Sequence, residues 1–139
     1  GRILSSIRIM VVDDNEYNRD IATEILRESE ADVTEYSNGL DAIEYIKSAP
    51  EDAIDIILMD VRMPGMDGFE TTKIIRSLDN TKKAGIPIVA MTANAFDEDR
   101  KKALENGMNG HISKPFNVDT FAETVLGYIG ERMNSLKTE

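Results

Sequence analysis

Five short, apolar, largely β-branched runs alternate along the chain with five segments whose apolar residues recur at helical spacing. The runs are Ile7 to Val12, Asp32 to Tyr36, Ile54 to Met59, Ile88 to Met91 and Gly110 to Ser113, and their length and composition predict strands. Between them, Ile21, Ala22, Ile25 and Leu26 form one helical stripe, Leu40, Ile43 and Ile46 a second, and Ile74, Ile75 and Leu78 a third. Ala103 and Leu104 mark a shorter, more polar fourth, and Phe121, Val125, Tyr128, Ile129 and Met133 the last. Ser37 or Asn38 is suited to cap the second helix and Asn117 the last, while Gly107 supplies a left-handed stop after the fourth. Strict strand and helix alternation implies right-handed crossovers and a parallel sheet covered on both faces, an α/β fold. The first, third and fourth runs are the most apolar and belong at the centre; DVTEY alternates polar and apolar residues and belongs at an edge.

Four of these runs end in polar residues: Asp13 and Asp14 after the first, Asp60 after the third, Thr92 after the fourth, and Lys114 with Pro115 after the fifth. In an open parallel sheet the carboxyl ends of the strands form the ligand crevice. Three carboxylates, a hydroxyl and an ammonium are therefore expected to meet in one place. Clustered acids repel one another unless a hard cation sits among them, and Mg²⁺ suits such a set because it takes oxygen ligands and few protein carboxylates. The segment VRMPGMDG after Asp60 prescribes a tight loop, which exposes that carboxylate at the crevice floor.

The simpler readings are equally definite. Asp13, Asp14 and Asn15 suit an N-terminal helix cap, Thr92 followed by Ala93 and Asn94 suits an ordinary strand end, and Asp97, Glu98 and Asp99 suit a solvated first helical turn. Met59, Met63, Met66 and Met91 read as packing residues. Lys114 is harder to explain structurally, because an unpaired buried ammonium is costly.

The fragments VVDDN, ILMDVRMPGMDGFE, PIVAMTANA and SKPF occur in that order, and together the chain resembles the receiver domain of the two-component response regulators from about Ile7 to about Met133. The resemblance implies a flavodoxin-like, doubly wound five-stranded parallel sheet of order 2-1-3-4-5. It assigns Asp60 as phosphoacceptor toward a phosphohistidine, Asp14 as direct metal ligand, Asp13 as ligand directly or through water, and the Arg62 backbone carbonyl as a further ligand. Mg²⁺ is the implied cofactor, and Mn²⁺ is able to substitute. Thr92 and Lys114 become the phosphoryl-binding switch pair, with His111 where receivers usually carry Tyr or Phe. Arg62 and Asn94 become candidates for tuning aspartyl-phosphate lifetime, and the Lys114–Pro115 bond a cis-peptide candidate. The altered face is the fourth helix, fifth strand and fifth helix, about Asp97 to Met133. The wording from Met91 to Phe116 looks more like receivers of hybrid sensor kinases than those fused to DNA-binding effectors. Implied partners are a sensor histidine kinase, in cis or in trans, and a histidine phosphotransfer protein, with a phosphorylation-linked dimer left open.

Composition narrows the alternatives. With 139 residues the chain suits one domain. A net charge of −10 argues against nucleic-acid backbone contact, no cysteine agrees with a reducing cytoplasm, and no run approaches the ~20 apolar residues of a membrane span. The start at Gly1 is expected of a piece excised from a larger protein, whose other parts are free to be membrane-anchored. A haloacid dehalogenase-like phosphatase would carry its nucleophile in an Asp-x-Asp pattern on the first strand, together with a cap insertion. A nucleotide-binding flavodoxin-like protein would carry a glycine-rich loop after that strand. A receiver fold kept only for protein contacts would have lost an acid, the acceptor or the lysine. The expectation is a phosphoacceptor regulatory domain, with no enzymatic turnover beyond its own phosphorylation and slow dephosphorylation.

Overall fold

The computed structural model describes residues 3–93, 97–114 and 116–137, with Asp97 and residues 131–137 described by backbone alone. Asn94, Pro115 and the side chain of Met133 lie outside the described residues. The strands are β1 (Arg8–Val12), β2 (Asp32–Tyr36), β3 (Ile56–Asp60), β4 (Ile88–Thr92) and β5 (Gly110–Ser113). The helices are α1 (Glu16–Glu28), α2 (Gly39–Ser48), α3 (Gly68–Arg76), α4 (Thr81–Ala84), α5 (Asp97–Glu105) and α6 (Phe121–Lys137). The sheet is parallel in the order β2-β1-β3-β4-β5, the doubly wound, flavodoxin-like arrangement.

Strand side chains alternate between faces, and the core divides accordingly. Ile9, Val11, Ile56, Leu58, Val89 and Met91 face α1 and α6, where they pack on Ala22, Leu26, Phe121 and Val125. Met10, Val12, Ile57, Met59, Ile88 and Ala90 face the opposite way onto Ile43, Ile46, Phe69, Ile75 and Ala103. Each fully buried Ile, Leu or Phe contributes about 1.5–3 kcal/mol. Strands β3 and β4 are buried throughout, whereas β2 is only half-buried, as an edge strand should be.

Local signals set the helix ends. Asn38, not Ser37, caps α2 by accepting the Asp41 N–H, and Asn15 caps α1 by accepting the Asn18 N–H. Gly107 takes φ +95° after α5. Asn117 accepts the Asp119 N–H through its side chain and the Phe121 N–H through its carbonyl, just ahead of α6.

Three expectations need correction. Leu40 and Leu104 are 61% and 65% exposed; on α2 Ala42 takes the inward position instead, and on α5 the expected Ala103 is buried without Leu104. The one-turn helix α4, capped by Asn80, buries no residue, so apolar periodicity carries no trace of it. The third strand begins at Ile56: the Asp55 N–H still donates to the Arg8 carbonyl at 2.8 Å, but the Arg8 N–H is taken by the Asp55 carboxylate instead of by a backbone carbonyl. Among the described residues, no helix is long and apolar enough to cross a membrane.

Candidate functional site

The parallel register brings the strand ends to one level. Val12 lies opposite Met59, Asp60 opposite Met91, and Thr92 opposite Ser113. One residue further along, the backbone still pairs: the Asp13 N–H donates to the Tyr36 carbonyl at 3.1 Å, Val61 to Met91 at 3.3 Å, and Lys114 to Thr92 at 2.8 Å. The chemistry-bearing side chains therefore start from hydrogen-bonded backbone rather than from loose loops.

Asp13 is fully buried and Asp60 is 4% exposed, while Asp14 is exposed. One carboxylate oxygen from each of the three lies within 4.8 Å of the others. The Lys114 ammonium sits 3.0 Å from Asp13 Oδ2 and 3.2 Å from Asp60 Oδ1. Asp13 Oδ1 accepts the Asn15 N–H at 2.9 Å, and Asp60 Oδ1 accepts the Arg62 N–H at 3.2 Å. Asp13 Oδ2 is buried without a well-directed hydrogen bond; its contact with Lys114 is an ion pair of poor direction, which leaves lone-pair capacity in the cleft. An under-satisfied buried oxygen among three carboxylates fits a hard divalent cation.

Burial first, and the neighbouring Asp13 charge second, raise the Asp60 pKa to about 7 against the opposing pull of Lys114 and the Arg62 N–H. Two carboxylates this close resist ionising together. An added cation would reverse that balance by favouring the charged form.

Other residues hold this frame. Arg19 donates to the Asp13 carbonyl at 2.7 Å and pairs with Glu35 on β2 at 3.3 Å. Arg76 donates to the carbonyls of Gly107, Ala84 and Ile86 and to Asn109 Oδ1, at 2.6–2.9 Å, which ties the ends of α3, α4 and α5 together. No periodic signal marks either arginine.

The acidic run at the start of α5 is not uniformly solvated. Asp99 is 8% exposed, pairs with Arg62 at 3.1 Å, and accepts the Thr92 hydroxyl at 3.4 Å. Its position four residues before the buried Ala103 was the available signal, since i and i+4 share a helical face. Asn15, not the two aspartates, performs the capping, and Thr92 is a buried hydroxyl rather than a plain strand end. His111 is half-buried and lines a groove of about 210 Å³ with Arg100, Ala103, Leu104 and Gly110. Burial, and secondarily the Arg100 charge, hold its pKa below the ordinary value.

A doubly wound sheet with an acidic triad and a lysine at its carboxyl edge defines an α/β domain whose centre is an aspartate poised beside a cation. The family model for the response regulator receiver domain matches residues 9–126, and the chain belongs to that family as a receiver domain of two-component phosphorelay systems. It is 38% identical over 125 residues to hybrid signal transduction histidine kinase E of Dictyostelium discoideum, covering 88% of this chain and 7% of that protein. The chain spans 7–15% of the length of the first curated relatives it matches. Among solved structures, the receiver domain of sensor histidine kinase PA1611 from Pseudomonas aeruginosa holds a magnesium ion in its active-site cleft. It superposes with a TM-score of 0.79 at 33% identity, covering 91% of this chain and 99% of that one. The Ssk1 receiver domain of Saccharomyces cerevisiae, crystallised with the phosphotransfer protein Ypd1, superposes with a TM-score of 0.80 at 27% identity, covering 93% and 92%.

Proposed function

We propose that this receiver takes a phosphoryl group from a phosphohistidine onto Asp60. The observation that carries the reading is the Lys114 ammonium between Asp13 and Asp60, 3.0 and 3.2 Å from their oxygens. A carboxylate oxygen of Asp60 attacks phosphorus, the bond from phosphorus to the imidazole nitrogen breaks, and the imidazole leaves with its electron pair. Lys114 moves its charge from the carboxylates to the arriving phosphoryl oxygens, and the Thr92 hydroxyl donates to another. Asp13, Asp14, Asp60 and the Arg62 carbonyl are the residues that would hold Mg²⁺, or Mn²⁺ in its place. When bound, the cation supplies charge neutralisation, which dominates in phosphoryl transfer.

The similarity to sensor and hybrid histidine kinases supports a hybrid-kinase setting, read here as cytoplasmic, and the Ypd1 complex of the similar Ssk1 receiver supports a phosphotransfer partner. In that setting the donor is a kinase histidine and a phosphotransfer protein is a further partner. The signal leaves through α5, β5 and α6. Catalysis is confined to the domain's own phosphorylation and slow hydrolysis, and Arg62 and Asn94 are the positions that would set the rate of the latter.

The test is intact mass after incubation with acetyl phosphate and Mg²⁺. A single phosphoryl adduct that requires Mg²⁺, is absent in Asp60→Asn and disappears in alkali is expected. Absence of the adduct from protein shown to bind Mg²⁺ and to receive nothing from a phosphohistidine donor would leave a binding-only module.

A further inference from the structure

Among the described residues, phosphoryl transfer to Asp60 leaves one buried acid beside the site without a role. Asp99, in the first turn of α5, is 8% exposed. Its Oδ1 and Oδ2 lie 3.1 and 3.4 Å from the Arg62 guanidinium, and its Oδ2 accepts the Thr92 hydroxyl at 3.4 Å. Both partners border the acceptor. Thr92 ends the strand next to β3, and the Arg62 backbone N–H donates to Asp60 Oδ1 at 3.2 Å. A threonine hydroxyl has one proton to donate, so a proton given to Asp99 is not available to a phosphoryl oxygen on Asp60.

We propose that Asp99 is a positioning residue that holds the Thr92 hydroxyl and the Arg62 guanidinium in the unphosphorylated chain, and that a phosphoryl group on Asp60 takes the Thr92 donor away from it. The inference rests on the reading of Asp60 as acceptor. A contact of 3.4 Å is long for a hydroxyl-to-carboxylate hydrogen bond, which makes it exchangeable. The same helix carries Arg100, Ala103 and Leu104, which line the groove beside His111, so loss of the Asp99 contact is felt on the surface where a partner would read it. Because the two acceptors compete, the resting contact lowers the apparent affinity of the site for a phosphoryl mimic.

Beryllofluoride with Mg²⁺ is the probe. Its binding is read by titration calorimetry, and folding by circular dichroism, for wild type, Asp99→Ala, Asp99→Asn, Thr92→Ala and the Asp99→Ala/Thr92→Ala double variant. Asp99→Ala is expected to bind roughly 5- to 50-fold more tightly, in the lower part of the range of an ordinary coupling between sites. Asp99→Asn keeps an acceptor oxygen, so it gains less, and it carries the test if the alanine variant fails to fold. In the Thr92→Ala background the gain is expected to vanish. Removing a nearby negative charge also favours an anion, but that effect would survive without the hydroxyl, so a full gain in the double variant overturns the proposal. Unchanged affinity in both Asp99 variants, with wild type binding normally, overturns it while leaving the acceptor reading intact. Wild type that binds Mg²⁺ but not beryllofluoride overturns both.

Discussion

A Cβ at Gly68 would collide with the backbone carbonyl of Asp60, so helix α3 begins directly against the proposed acceptor. The Gly68 N–H donates to the Val61 carbonyl at 3.2 Å, and this contact closes the loop that aims the Arg62 N–H at Asp60 Oδ1. Gly68→Ala is therefore expected to cost about 2–4 kcal/mol through backbone displacement and to slow Asp60 phosphorylation. Gly127→Ala, where a Cβ meets nothing within 4 Å, should stabilise helix α6 by about 0.5–1 kcal/mol. Urea unfolding of the two variants checks both signs.

The raised Asp60 pKa makes metal-free stability fall with rising pH. Between its ordinary value of 3.8 and about 7, the folded state binds a proton at Asp60 that the unfolded state has released. This contribution is present in full below the lower value and is lost as pH rises through the upper one. Asp60→Asn should flatten that slope and stabilise the metal-free protein at pH 8 by up to about 4 kcal/mol, at ~1.4 kcal/mol per unit. Denaturation midpoints from pH 4 to 8 in chelator test it, and a wild-type curve parallel to that of Asp60→Asn would refute it.

In the proposed site, proton and cation compete for the Asp60 carboxylate. Apparent Mg²⁺ affinity is therefore expected to be level above about pH 8 and to drop toward about tenfold per unit below about pH 6. Calorimetry across that range should show the drop in wild type. Asp13→Asn, which lowers the charge beside Asp60, should bind more weakly at pH 8 and begin its decline at lower pH.

Arg76 donates to the backbone carbonyls of Gly107, Ala84 and Ile86, and burial lowers its pKa from the ordinary guanidinium value. Arg76→Ala should cost about 2–4 kcal/mol, because it leaves acceptors unpaired. Chemical denaturation with an unchanged m-value would locate the loss in the folded state.

His111 titrates beside a cation. A proton NMR titration should place its midpoint below the ordinary 6.5, and Arg100→Ala should move it upward. His111→Phe is expected to strengthen the coupling between phosphorylation and partner binding. Equal partner affinities for the variant and wild type in both phosphorylation states would remove His111 from the switch.

The fold was legible because strand and helix periods are local. Alternation along IRIMVV and IILMD separates the two core faces, and Asn38 and Gly107 end their segments by chemistry contained within a turn. Asp13, Asp60 and Lys114 were legible because each follows an apolar run, and a parallel sheet gathers such ends at one edge. Leu40 and Leu104 misled because a helical stripe read from a few apolar residues does not say which side meets the sheet.

By itself, then, the sequence determined the alternating architecture, the acidic cluster and its lysine, since these depend on periodicity and on strand ends. Tertiary structure alone decided the 3.0 Å approach of Lys114 to Asp13, the four-way clasp of Arg76, and the capture of Thr92 by Asp99. Those contacts join residues whose separation in sequence carries no period, and only the packing of α3 and α5 onto the sheet brings them within hydrogen-bonding reach.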